Sequence, residues 1–144
     1  MAKADCVFCA IAAERAAASV VATTTEAVVF LDVRPVFRGH CLIVPRLHVE
    51  TLGELPTELV APLFTCAQRV SRAVEAALGC GGTFVAMNNR VSQSVPHLHV
   101  HVVPRTKGDG LRGFFWPRVK YASSDEMEDF RAKVAAAYDA EHAP

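Results

Sequence analysis

Apolar positions change period several times along the chain, and each change marks an element. Val28, Val29, Phe30 and Leu31 form an unbroken apolar run inside Glu26–Val33, which predicts a strand. Arg34-Pro35-Val36-Phe37-Arg38-Gly39 ends it with the proline and glycine of a turn. His40–Val44 is a second apolar strand, stopped by Pro45. From Pro56 the period lengthens: Leu59, Val60, Leu63, Phe64, Ala67, Val70, Val74 and Leu78 recur at helical spacing, with Gly79 as the C-terminal cap. Gly82–Met87 returns to a strand, Asn88–Ser94 is a loop, and Leu98–Val103 is another strand. Ser123-Ser124-Asp125-Glu126 has capping-box form and opens a last helix whose buried face would be Met127, Phe130, Val134 and Tyr138. A short Ala-rich helix is expected before Ser19, after the pair Cys6 and Cys9. Strands, helix, strands and helix in that order predict an α+β domain with a mainly antiparallel sheet.

Composition narrows the partners. With 144 residues, 51% of them apolar and 21% charged, the sequence suits one globular domain with a real core. Fifteen basic residues cancel fifteen acidic ones, so no electrostatic footprint for nucleic acid or an anionic membrane is visible. No apolar stretch is long enough for a bilayer span. Val7–Ala13 is apolar, yet Asp5 and Glu14-Arg15 flank it, a poor signal-peptide pattern, so the expected compartment is the cytoplasm. Five cysteines there read as thiols or metal ligands. Cys41 and Cys66 read as buried small hydrophobes and Cys80 as more exposed.

The chemistry concentrates in His97-Leu98-His99-Val100-His101, where half of the six histidines alternate within five residues. In a strand, residues two apart lie ~6.6 Å from each other on one face. Three imidazoles would therefore face one way while Leu98, Val100 and Val102 enter the core. Imidazole titrates near neutrality and can serve as nucleophile, acid, base or metal ligand. Attack on phosphorus by one ring would split a displacement into two easier steps through a covalent nucleotidyl intermediate. Gln93 and Ser94, just before the strand, can donate to phosphate or leaving-group oxygens. Asn88 and Asn89 end the preceding strand where a polar side chain can reach a ligand, although both residue types also favour turns.

The stretch Gln93-Ser94-Val95-Pro96-His97-Leu98-His99-Val100-His101-Val102-Val103-Pro104-Arg105 resembles the signature of the histidine-triad (HIT) family of nucleotide hydrolases and transferases. Val29-Phe30-Leu31-Asp32-Val33-Arg34-Pro35 resembles its nucleoside-binding strand and turn. Gly39-His40-Cys41-Leu42-Ile43-Val44-Pro45-Arg46-Leu47-His48 resembles its Gly-His, strand and Pro-basic-x-His segment. The resemblance covers about Cys6 to Arg105 in the right order. It implies a HIT-like α+β fold with a mainly antiparallel five-stranded sheet and two main helices, usually paired as a homodimer. His99 would be the nucleophile and His101 a phosphate contact, with Gln93 and Ser94 orienting phosphate or leaving group. Asp32 would accept ribose hydroxyls, Phe30 and Val33 would form part of the base pocket, and Asn88 would approach ribose or phosphate. Residues 1–144 are expected to form a single such domain, with a core of about 6–105 and residues 106–144 as a C-terminal extension carrying the final helix.

Cys6-Val7-Phe8-Cys9 alone is open to redox, metal or chance readings. Some relatives hold zinc with an N-terminal CxxC, the histidine after the Pro-basic segment and the first triad histidine. The corresponding residues here are Cys6, Cys9, His48 and His97, a closed Cys₂His₂ set of structural type. Three features depart from small family members. The Asn88–Gln93 loop is short and lacks the usual glycines, Leu31 stands where many relatives have a polar residue, and the chain continues past Thr106. The aromatic and basic stretch of residues 107–118 can be read as a cover over the site or as a packed surface loop. The expected activity is release of a nucleoside monophosphate, AMP by family habit, from phosphoramidates or dinucleoside polyphosphates. Transfer to phosphate or sugar phosphate, and a non-catalytic nucleotide- or zinc-binding module, remain the alternatives.

Overall fold

A computed structural model describes residues 3, 5–111 and 119–141. They group into two compact units that divide after Asp109. The larger unit holds α1 (Val7–Ala12), β1 (Val20–Thr23), β2 (Ala27–Leu31), β3 (Cys41–Pro45), α2 (Thr57–Leu78), β4 (Gly82–Ala86) and β5 (Val100–Arg105). The smaller unit holds α3 (Ser124–Glu141). The strands form one five-stranded sheet in the order β1-β2-β3-β5-β4, each neighbour antiparallel.

The continuous apolar runs in β2 and β3 reflect burial on both faces of the sheet, as expected for central strands. On one face Val29, Cys41, Ile43, Val100 and Val102 pack against Leu63, Cys66, Val70 and Val74 of α2. On the other, Val28, Phe30, Leu42 and Val44 pack against Cys6, Phe8, Cys9 and Ile11 around α1. Cys41 and Cys66 are buried as expected, and Cys80 is partly exposed. Leu42 on the α1 face pairs with His101 of β5, so the register itself delivers the triad to that face. The α2 face also carries an apolar groove of about 490 Å³ lined by Val21, Leu31, Cys41, Cys66, Val74 and Leu78. The histidines lie on the opposite face.

Several sequence expectations are corrected. β1, edge strand and fifth member of the sheet, was not visible as a strand, because all four of its residues are exposed and lack an alternating pattern. The first helix includes Cys9 rather than following it. Phe64 and Leu78 of α2 are exposed, since the stripe that reaches the sheet is Leu63, Cys66, Ala67, Val70 and Val74. In α3, Met127, Phe130, Val134 and Tyr138 are all more than half exposed, so they form no buried face among the described residues. The Ser123 hydroxyl does accept from the Glu126 amide at 3.1 Å, which starts that helix as its capping-box sequence requires. Gly79 closes α2 in the left-handed region at φ 61°.

Candidate active site and metal centre

The triad divides between two clusters. Its first two histidines precede β5, whose ladder begins at Val100. Local bonds displace the regular strand there: the His97 amide donates to the Val95 carbonyl at 2.8 Å and the Leu98 amide to Val49 at 2.7 Å. The alternation survives, with Leu98, Val100 and Val102 fully buried on the α2 side.

His97 is completely buried. Its Nε2 meets the Pro45 carbonyl at 2.8 Å, so that nitrogen carries the proton and Nδ1 keeps its lone pair. Around that Nδ1 stand Cys6 Sγ at 3.4 Å, Cys9 Sγ at 3.6 Å and His48 Nδ1 at 3.2 Å. Cys9 Sγ lies 3.4 Å from His48 Nδ1, and all four donor atoms fall within 4.8 Å of one another. A tetrahedral ion with bonds of ~2.3 Å to sulfur and ~2.05 Å to nitrogen would require S–N edges of about 3.6 Å and N–N edges of about 3.3 Å. The observed edges match that figure, so the residues present fit a metal. The carbonyl that fixes the His97 tautomer is the kind of outer partner metal-binding histidines use. Burial pushes the Cys9 thiol up and, with His48 and His99 adding to the effect, the His97 ring down to about 4. The ring is therefore neutral at physiological pH, the form a metal requires.

His99 is 4% exposed. Its Nδ1 lies 2.7 Å from the His97 carbonyl oxygen, which can only accept, so Nδ1–H donates and Nε2 is left with a free lone pair. The ring is held edge-on between Phe8, 5.2 Å away by centroid, and His101, 4.8 Å away. One backbone carbonyl thus fixes the orientation of this imidazole and the proton on its Nδ1.

His101 depends on a residue to which the sequence reading gave no role. His40, buried just before β3, places Nε2 2.9 Å from His101 Nδ1. Its own Nδ1 accepts the Val36 amide at 3.2 Å, so its Nε2–H must be the donor to His101. His101 then carries its proton on Nε2, a donor directed away from His40. Burial, aided by His99 and His40 and opposed by Asp32, holds the His101 ring down at about 4. The His40 ring is lowered by burial, against the pull of Asp32. The usable signal for His40 was its place two residues before Leu42, the cross-strand partner of His101.

The remaining predicted residues fall at differing distances from this chemistry. Asp32 Oδ1 accepts the Arg34 amide at 2.8 Å and Oδ2 lies 3.6 Å from His40 Nδ1, so the carboxylate borders the relay. Phe30 is buried edge-to-face on Phe8, while Val33 is 91% exposed. Ser94 is exposed. Gln93 is engaged in holding its loop: its Oε1 accepts the Arg90 amide and its Nε2 donates to the Glu50 carbonyl, both at 2.7 Å. Asn88 likewise donates to the Ser92 carbonyl at 3.1 Å. In the loop that lacks glycines, Arg90 and Ser92 take φ of 68° and 60°, a region ordinary side chains avoid. Phe8, which touches Phe30, His97 and His99, was not singled out by sequence, because its neighbours Cys6 and Cys9 drew attention to metal chemistry alone. Within the 107–118 stretch, residues 112–118 lie outside the described residues.

Comparison with known families matches residues 13–108 to the HIT domain. The chain belongs to the HIT family. Among its HIT relatives is an uncharacterized HIT-like protein of Mycobacterium tuberculosis, 38% identical over 108 residues that cover 74% of this chain and 75% of the relative. Another is an adenosine 5′-monophosphoramidase of Schizosaccharomyces pombe, 31% identical over 115 residues, 78% of this chain and 84% of that protein. The crystal structure of a zinc-bound histidine triad family protein from Mycobacterium smegmatis aligns with a TM-score of 0.71 at 34% identity, covering 94% of this chain and 97% of that one. Relatives with hydrolase names and the shared five-stranded HIT sheet support a nucleotide-related hydrolase activity.

Proposed function

We propose that the protein is a phosphoramidase or dinucleoside polyphosphate hydrolase that releases AMP through a nucleotidyl-His99 intermediate. The observation that carries this reading is the His99 Nδ1–H bond to the His97 carbonyl, which leaves Nε2 as the free nucleophilic nitrogen. In the first step His99 Nε2 bonds to the α-phosphorus while the bond to the leaving group breaks, and the leaving atom takes the electron pair and a proton. In the second, water attacks phosphorus, AMP departs, and the imidazole is restored with Nδ1–H retained throughout. His101 Nε2–H donates to a non-bridging phosphate oxygen, and His40 keeps it in that tautomer. Ser94 and Gln93 orient phosphate and leaving group, Gln93 through the loop it holds. Asp32 accepts from ribose, while Phe30, Val33 and Asn88 contribute to the nucleoside site. The name of the fission yeast phosphoramidase supports this choice of substrate class.

Cys6, Cys9, His48 and His97 hold structural zinc in this reading, favoured by the sulfur and nitrogen donors and by the zinc-bound relative. Zinc would supply a rigid cross-link between α1, the segment after β3 and the start of the triad. A homodimer is supported by exposed Phe64 of α2 and Val85 of β4, the last strand in the sheet order, an apolar patch that a second copy would cover. Residues 1–144 form one HIT domain with its extension, acting on a small nucleotide without nucleic acid or membrane. No described helix is long and apolar enough to cross a membrane.

The test is AMP release from adenosine 5′-phosphoramidate and diadenosine polyphosphates by wild type and His99→Ala. Turnover in the wild type, lost in a variant that still binds AMP, is the expected result. Equal turnover in the variant would overturn the assignment of the nucleophile, and wild-type protein that binds AMP without turnover would overturn the hydrolase reading.

A further inference from the structure

The apolar groove on the α2 face is long, narrow and polarised. α2 lines it with a stripe from Cys66 to Leu78, about 18 Å at 1.5 Å per residue. Ala73 and Ala77 carry single methyl groups and leave the space, while Val21 and Leu31 line it from the sheet. Val21, Leu31 and Leu78 are each 39% exposed or more, so hydrocarbon meets solvent along its length. One end is closed. Gly39, at φ 95°, has no room for a β-carbon against Leu78 Cδ1, and Cys41, two residues on, pairs with Leu31. The polar groups gather away from that end. β1 runs from the Leu31 end to Thr23, which lies opposite Val28, and Thr24 follows on the wall. Counted back along α2 from Leu78, the stripe reaches Arg69, the one charged residue among the described residues of the wall. Arg69 makes no ion pair among the described residues. Its charge acts on Cys66, another wall residue, whose thiol burial pushes up and Arg69 pulls down.

We infer that this groove binds a straight-chain fatty carboxylate, its head beside Arg69, Thr23 and Thr24 and its methyl end against Leu78 and Gly39. The site lies on the opposite face of the sheet from the histidines and does not depend on the hydrolase reading. Its dimensions choose the occupant. About 490 Å³ spread over that length leaves a mean section of about 30 Å². A helix 10–12 Å across needs roughly 80–110 Å², so a helix cannot lie within the groove, whereas a single hydrocarbon chain can. The apolar wall supplies the affinity, and the guanidinium with its paired donors and the two hydroxyls set the direction. Nine residues of helix separate Arg69 from Leu78, about 13.5 Å. An extended chain with carbon–carbon bonds of about 1.5 Å at tetrahedral angles advances about 1.25 Å per carbon, so about eleven carbons fit between head and closed end.

The test titrates the full wild-type chain by calorimetry with the even-numbered carboxylates from octanoate to hexadecanoate, each kept below its micelle concentration. Kd should fall about two- to fourfold for each added methylene, the upper figure corresponding to full burial, and level off near twelve carbons where further methylenes find no wall. A fall that continues unbroken to hexadecanoate indicates partition onto a loose apolar surface and overturns the inference, as does an absence of binding. Ala77→Phe fills the groove from an exposed position and should weaken dodecanoate at least tenfold, with Ala73→Leu as the milder second variant and thermal unfolding as the check on folding. An unchanged Kd in either folded variant puts the ligand elsewhere and overturns the inference. Arg69→Gln should erase a few-fold preference for decanoate over decan-1-ol, and a preference that survives overturns the placement of the head. A groove already filled by a segment of a second copy would give no binding in wild type and a lower Tm in Ala77→Phe, which also overturns it.

Discussion

His40 acts at one remove from the triad, tied by one bond to His101 and by another to the Val36 amide. His40→Ala would remove the Nε2–H donor to His101 and the acceptor of the Val36 amide. Two hydrogen bonds at about 1 kcal/mol each, plus the cavity left by a ring only 3% exposed, amount to about 2–4 kcal/mol of stability. The catalytic consequence is separable. A bond of about 1 kcal/mol biases the His101 tautomer about fivefold, so its loss takes the Nε2–H form from about five-sixths of the population to about half and should lower kcat by about twofold with KM for the nucleotide changed less. His40→Gln restores a donor near the Nε2 position and should recover most of kcat while leaving the Val36 amide unsatisfied and the protein destabilised. Urea unfolding measures the first effect, and AMP release at saturating phosphoramidate measures the second. If His40→Ala remains folded with wild-type kcat, or if His40→Gln loses as much kcat as His40→Ala, the relay has no part in the reaction.

Acid should destabilise the fold before carboxylates protonate. In the metal-free protein the rings of His97 and His101 titrate at about 4 folded against an ordinary value near 6.5, so the unfolded chain binds more protons between those limits. Stability is then fully present above about pH 6.5 and falls as pH drops toward 4, with each ring taking up nearly one proton on unfolding near pH 5. Denaturant melts across that range check the sign, and a flat profile would refute it. Chelation, or Cys9→Ser, should release one zinc per chain and lower Tm by about 10 °C, measured by metal analysis and calorimetry. Val85→Arg on the outer strand should shift the protein from dimer to monomer in sedimentation, because a charge on that edge opposes pairing with a second copy.

How much was legible in the sequence depended on whether a residue announces itself through its neighbours in the chain or across the sheet. β2 and β3 were readable because burial on both faces leaves a continuous apolar run, and α2 because Leu63, Ala67, Val70 and Val74 keep a helical period. The CxxC pair and the alternating histidines were visible for the same local reason. β1 was not, since an exposed edge strand carries no hydrophobic alternation, and its membership is decided by pairing with β2. The division of the triad was also hidden. Whether His97 turns toward two cysteines or toward His99 is set by the Pro45 carbonyl, 52 residues away in the chain. Phe64 and the apolar side of α3 misled because helical period says which residues share a face, without saying that the same chain covers it.

Residue 97 contributes to both clusters at once: its ring completes the tetrad and its carbonyl oxygen accepts the Nδ1–H of His99. The two events therefore share one rigid body, and their free energies are linked. Whatever tightens the tetrad narrows the positions open to His99, and a nucleotide seated on His99 restrains the tetrad in return by the same factor. α1, at six residues too short to persist alone, is the element through which such a linkage would be felt, since Phe8 rests on both rings. The centre then behaves as an allosteric effector site in miniature, with a coupling constant set by a single peptide unit.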